Sequence, residues 1–110
     1  MGLFGIGKKK YVKNVTRDNE FLKEYAIKCN GLLFYVEGKE QVKKELIQLK
    51  DDFQYTVGST DAAAKPLERK IEKDYNTLTK LLQQLEWDEG EALLLIRGIR
   101  RYIVEISSLR

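Results

Sequence analysis

Residues 87–109 read WDEGEALLLIRGIRRYIVEISSL, and this stretch decides the fold. Asp88 and Glu91 form a capping-box-like pair, and Trp87 and Ala92 occupy the positions of a hydrophobic staple, so a helix is expected to start here. The apolar residues that follow fill both core positions of three heptads, and two isoleucines widen the face. They are Ala92, Leu95, Ile99, Tyr102, Ile106 and Leu109, with Ile96 and Ile103. The pattern predicts a helix near 89–108.

A second helix with the same periodicity precedes it. Residues 58–65 form a clear loop, and Pro66 suits a first helical position, so the spacing predicts a helix near 66–86. Capping by Asp61, with Pro66 inside the first turns, is the alternative. The apolar stripe consists of Leu67, Ile71, Tyr75, Leu78, Leu81, Leu82 and Leu85.

The first half of the chain carries two further stripes. A helix near 18–37 is expected to end at Gly38, because glycine tolerates the left-handed conformation of a helix C-terminus. A helix near 39–57 follows. The stripe residues are Leu22, Tyr25, Ala26, Cys29, Leu33 and Val36 in the first helix, and Val42, Leu46, Leu49, Phe53 and Val57 in the second.

Two alternatives stay open in this half. A one-residue connection is short for an antiparallel turn, so one kinked helix over 18–57 is an alternative to two helices. Residues 32–36 also fit a short strand after a turn at Asn30–Gly31. That strand would have no partner elsewhere in the sequence.

Four amphipathic helices predict an all-α fold, an antiparallel up-down-up-down four-helix bundle. We expect one domain over 16–110, because 110 residues can bury a single core without metals or disulfides. A flexible basic tail is expected over 1–15, where three glycines weaken helix formation. A single cysteine and the lack of a signal-like or membrane-spanning apolar run favour a cytoplasmic location.

The net charge of +3 divides unevenly along the chain. Residues 1–17 hold five basic side chains and no acid, whereas the other 93 residues hold 15 basic and 17 acidic ones. The folded part therefore carries −2, which argues against a nucleic-acid-binding surface, because such a surface is usually basic.

The N-terminal segment joins apolar residues to a run of lysines, an arrangement that suits an anionic membrane surface. Position 6 is isoleucine, so the myristoylation pattern is not met. Peripheral membrane binding is thus the alternative function, against the simpler interpretation of a solvated tail. The candidate contacts are Leu3, Phe4, Ile6, Lys8, Lys9, Lys10 and Lys13.

No catalytic, cofactor-binding or metal-binding residue is predicted. The chain has no histidine, which excludes the histidine-based metal and haem sites of helical bundles. Cys29 falls on a buried stripe and has no histidine as a base. The acids at 86–91 lack the spacing of a calcium loop. Arg97, Arg100 and Arg101 are expected on a solvated face. We therefore expect a protein that is not an enzyme.

Two of the predicted helices contain more apolar residues than one hydrophobic core requires. Residues 32–36 and 93–96 are apolar on all sides of their helices, although a core-facing stripe needs only about three positions in seven. In an up-down-up-down bundle both runs lie at the same end. They predict an interaction surface for a homo-oligomer or a protein partner, unless these helices are simply buried. The surface residues are Phe34, Tyr35, Trp87, Leu93 and Leu94.

Overall fold

The structure, a computed structural model, describes residues 20–109. Helix α1 covers 20–32 from the first described residue, and a short 3₁₀-helix, Leu33–Val36, extends it. Three α-helices follow: α2, Glu40–Tyr55; α3, Ala64–Leu82; and α4, Glu89–Ser107. The predicted all-α class is confirmed, and no strand occurs within 20–109. The predictions of a flexible tail and of membrane contacts fall on residues outside this range.

A sharp turn separates α1 from α2. Gly38 adopts φ +86°, the left-handed conformation predicted for it. The backbone N–H of Lys39 donates to the carbonyl of Val36 at 3.0 Å, which closes the turn. The alternatives of one continuous helix and of a strand at 32–36 are therefore wrong. Leu32, three residues after the buried Cys29, is buried in place of the predicted Leu33, which is half-buried, and Val36 is buried as predicted.

Asp61 forms the turn that leads into α3. Its carboxylate Oδ1 accepts from the N–H of Ala63 and its carbonyl accepts from the N–H of Ala64, both at 2.9 Å. The helix starts two residues before Pro66, so Pro66 lies inside the first turn as in the second alternative, but the N-cap residue is Ala63 and not Asp61. Pro66 is then the third helical residue, where a backbone N–H has no partner within the helix, so proline is tolerated.

The connection between α3 and α4 is longer than predicted. Helix α3 ends at Leu82 rather than near residue 86, and Leu85 lies fully exposed in the connection instead of on the buried stripe. Asp88 is the N-cap of α4, and its Oδ1 accepts from the N–H of Gly90 at 3.2 Å. This confirms the predicted start of the last helix.

The helices alternate in direction, and α4 has the most central position. It packs along α3 and also along α2, whereas α3 contacts α4 far more than α2. The ring of Tyr25 in α1 lies 5.6 Å from Phe53 of α2 and 4.9 Å from Tyr75 of α3. The order around the bundle is therefore α1, α2, α4, α3. Helices α2 and α4 are parallel neighbours, and residues 56–63 cross between α2 and α3.

One hydrophobic core joins all the helices. Most predicted stripe residues are buried, but Val57 is exposed. In α4 the stripe is centred on Ile96 and Ile103, with Leu95 and Tyr102 at its margin, because this helix contacts neighbours on both sides. The largest completely buried side chains are Leu22, Val36, Leu46, Leu49, Phe53, Ile71, Leu78, Leu82, Ile96, Ile99, Ile103 and Ile106.

Candidate interaction surface at one end of the bundle

The two apolar runs of the sequence do lie at one end of the bundle. We call this end the apolar pole and define it as the 3₁₀-helix Leu33–Val36 together with residues 83–94. Lys39, just after the 3₁₀-helix, joins its two parts. The ammonium Nζ of Lys39 is 3.7 Å from the carboxylate of Glu89 and 5.7 Å from the ring centroid of Trp87. The start of α2 is thereby held against the start of α4.

Two aromatic rings mark the first part of the pole. Phe34 is 80% exposed and Tyr35 is 39% exposed, although the neighbouring Leu32 and Val36 are buried. Their ring centroids are 5.7 Å apart with an interplanar angle of 89°, an edge-to-face pair. Val36 is completely buried and anchors the 3₁₀-helix. The rings are thus presented to solvent by a backbone that is fixed to the core.

The second part of the pole, residues 83–94, contains both half-buried and exposed apolar side chains. Trp87 and Leu93 are half-buried and pack against the core. Leu94 is 72% exposed, because it lies on the side of α4 opposite the buried Ala92 and Ile96. The apolar side chains therefore point in several directions around the end of the bundle, and a partner would have to wrap over the pole rather than dock on a flat face.

Of the five residues predicted for this surface, Phe34, Tyr35 and Leu94 are exposed. Sequence reasoning missed Leu85, which is fully exposed in the same region. It was assigned to the buried stripe because its spacing continues the periodicity of α3. The hydrogen bonds from the N–H groups of residues 83 and 84, which mark the end of that helix, could not be inferred from periodicity.

The pole is acidic. Residues 83–94 contain Glu86, Asp88, Glu89 and Glu91, all exposed, and no basic residue, so this segment carries a net charge of −4. Within the described part of the chain, no three acidic or cysteine side chains are grouped so that they could hold a metal ion. The carboxylates are spread around the exposed apolar side chains.

The arginines of α4 have a different role from the one predicted. The guanidinium of Arg97 donates to both carboxylate oxygens of Glu45 in α2, at 2.9 and 2.6 Å. Arg100 donates to Asp52 at 2.6 Å and to the amide oxygen of Gln48 at 3.0 Å. Arg97 and Arg101 are exposed, as predicted for a solvated face, whereas Arg100 is half-buried; the bonds of Arg97 and Arg100 to α2 were not predicted. We call these contacts the α2–α4 ion pairs.

Glu45 is the buried member of these pairs. Its carboxylate also accepts from the amide of Gln41 at 2.8 Å. The hydrogen bond from Arg97 lowers the pKa of Glu45 below its ordinary value, and this effect outweighs the opposing effect of burial. The carboxylate is thus held ionised between two helices, so Arg97 is occupied by an internal partner.

Cys29 is enclosed in the core and has no accessible surface. Burial raises the pKa of its thiol to about 12, and the charge of Lys50 offsets this only in part. A thiol that stays protonated and inaccessible cannot serve as a nucleophile. Its position agrees with the core role that the sequence predicted.

A groove of about 570 Å³ runs between α1 and α2. Its exposed apolar side chains are Ile27, 73% exposed, and Tyr55, 74% exposed. Lys23 and Lys50 also line it, no carboxylate or thiol does, and the phenol of Tyr55 supplies its single hydroxyl group. The remaining lining residues are Ala26, Asn30 and Gln54.

Among the helices of residues 20–109, none has the length and apolar character needed to cross a bilayer. Comparisons of the chain with protein-family profiles, with curated proteins and with solved structures found no match.

Proposed function

We propose that this protein is a non-catalytic helical interaction module that docks a second copy of itself or another protein through the apolar pole. The observation that supports the proposal best is the exposure of Phe34. A phenylalanine that is 80% exposed sits on a backbone that its neighbour Val36 anchors in the core. Aromatic side chains held in this way are typical anchors of protein interfaces.

The size of the surface indicates the strength of binding. Complete burial of a phenylalanine or leucine side chain contributes about 1.5–3 kcal/mol. Phe34, Leu85 and Leu94 are the three most exposed large apolar side chains of the pole. Association costs about 4–15 kcal/mol in lost translational and rotational freedom. Three anchors offset the lower part of that range, so the complex should be reversible and depend on polar contacts at the rim.

Sedimentation equilibrium tests the form of the proposal in which the partner is a second copy. The wild type should associate as its concentration rises, and the Phe34→Glu, Leu94→Lys double variant should stay monomeric. The matched control is an Ile27→Glu, Tyr55→Lys double variant, which changes equally exposed residues of the α1–α2 groove. It should associate like the wild type. A wild type that is monomeric at every concentration would exclude the second copy as the partner.

The N-terminal segment supports a second candidate function, peripheral membrane binding. Its five basic residues without an acid adjoin the apolar side chains of Leu3, Phe4 and Ile6. Three such side chains and a basic run provide reversible attachment to anionic lipid. Liposome binding should then require anionic lipid, weaken with salt, and disappear when residues 1–13 are deleted. Equal binding by the truncated chain would reject this function.

A further inference from the structure

The negative charge of the apolar pole restricts which kinds of polypeptide segment can bind to it. Four exposed carboxylates lie among its apolar side chains, and residues 83–94 contain no basic residue. Lys39, at the border of the pole, is paired with one of the four, Glu89, so the pole together with Lys39 carries −3. Two identical poles brought face to face would place these carboxylates against one another. Like charges across an interface are unfavourable, whereas a basic partner is attracted. The pole therefore suits a segment in which apolar and basic residues are adjacent.

The chain itself contains such a segment outside the described residues. Leu3, Phe4 and Ile6 are followed at once by Lys8–Lys10 and then by Lys13. Residues 1–17 carry +5, against the −4 of residues 83–94. This segment matches the pole both in its apolar side chains and in the sign of its charge.

The chain between Ile6 and residue 20 is long enough for the N-terminal segment to reach the apolar pole of the same chain. Helix α1 runs from residue 20, at the opposite end of the bundle, towards the pole. Its 13 residues and the four of the 3₁₀-helix span about 28 Å, at 1.5 and 2.0 Å per residue. An extended chain from Ile6 to residue 20 reaches at most about 50 Å.

We propose that residues 3–13 dock on the apolar pole of their own chain, with Leu3, Phe4 and Ile6 against its exposed side chains and the lysines beside its carboxylates. This inference rests on the proposed function, in which the pole is a docking surface. A short tether gives an effective concentration in the millimolar range. An intrinsic affinity near 1 mM is therefore sufficient to populate the docked state, and an external partner must displace the segment.

Paramagnetic broadening in NMR tests this directly on the full chain. A Gly7→Cys variant carries the spin label, and Cys29 stays unlabelled because it has no accessible surface. The amide signals of residues 34–39 and 85–94 should lose intensity. If the segment were only tethered at residue 20, the loss would instead be greatest around residues 56–63, at the opposite end. That second pattern would overturn the proposal.

Two controls complete the experiment. Adding Leu3→Ser, Phe4→Ser and Ile6→Ser to the labelled variant keeps its charge and should abolish the loss of intensity at the pole, whereas persistent loss would overturn the proposal. Mixing unlabelled ¹⁵N chains with spin-labelled ¹⁴N chains should produce no broadening at the pole. Broadening in this mixture would mean docking between chains, which contradicts the present inference but leaves the proposed function intact.

Discussion

At the scale of single residues, Leu78 and Leu94 are expected to contribute very differently to the free energy of unfolding. Leu78 has no exposed surface, whereas Leu94 lies on the outside of α4. Leu78→Ala should lower the free energy of unfolding by about 2–5 kcal/mol, because it removes buried methyl groups and leaves a cavity. Leu94→Ala should change it by no more than about 0.5 kcal/mol. Urea unfolding measures both, and equal losses would contradict the assignment of the two faces.

The burial of Cys29 leads to a prediction about the stability of the protein at high pH. Its thiol has a pKa of about 12 in the folded protein, against an ordinary value of 9.0. The neutral form is favoured by folding, so this contribution to stability is complete below pH 9 and is lost as the pH rises towards 12. The wild type should therefore lose more stability than Cys29→Ala between these pH values in urea titrations. Parallel losses in the two proteins would show that the thiol does not contribute.

At the scale of elements, the α2–α4 ion pairs are the main polar link between two helices. The pKa of Glu45 is lowered in the folded protein, so its contribution is present above its ordinary pKa and is lost as the pH falls through the folded value. The melting temperature of the wild type should fall more steeply below about pH 5 than that of Glu45→Gln. The exposed Glu40→Gln variant is the control and should follow the wild type. Identical slopes for Glu45→Gln and the wild type would contradict the role of this pair.

The sequence predicts elements better than it predicts their partners. The periodicity of apolar residues correctly located four helices, because each must bury one face. The start of α3 stayed ambiguous, since both Asp61 and Pro66 are acceptable start signals. The bonds from Arg97 and Arg100 to α2 could not be predicted, because spacing along the chain shows which charges share a face and not which helix lies beside it.

At the scale of the whole molecule, the alternation of helix direction explains why the apolar pole could be anticipated. The end of α1 and the start of α4 had to meet at one end, and Lys39 joins them there. The exposure of Phe34 and Leu94 agrees with their positions off the predicted stripes. The exposure of Leu85 could not be predicted from periodicity, because it results from the end of α3 at Leu82.

The proposed function requires that another polypeptide bind the apolar pole in place of the chain's own N-terminal segment, and site-specific photo-crosslinking in cells that express the protein tests this requirement. A photoreactive phenylalanine analogue replaces Phe34 in one variant and Tyr55 in the control, two aromatic residues of similar exposure at different places on the bundle. We expect a discrete crosslinked complex with another chain from position 34, which is absent from position 55 and is lost when Leu94→Lys is added. No crosslink from position 34, or the same products from both positions, would contradict it.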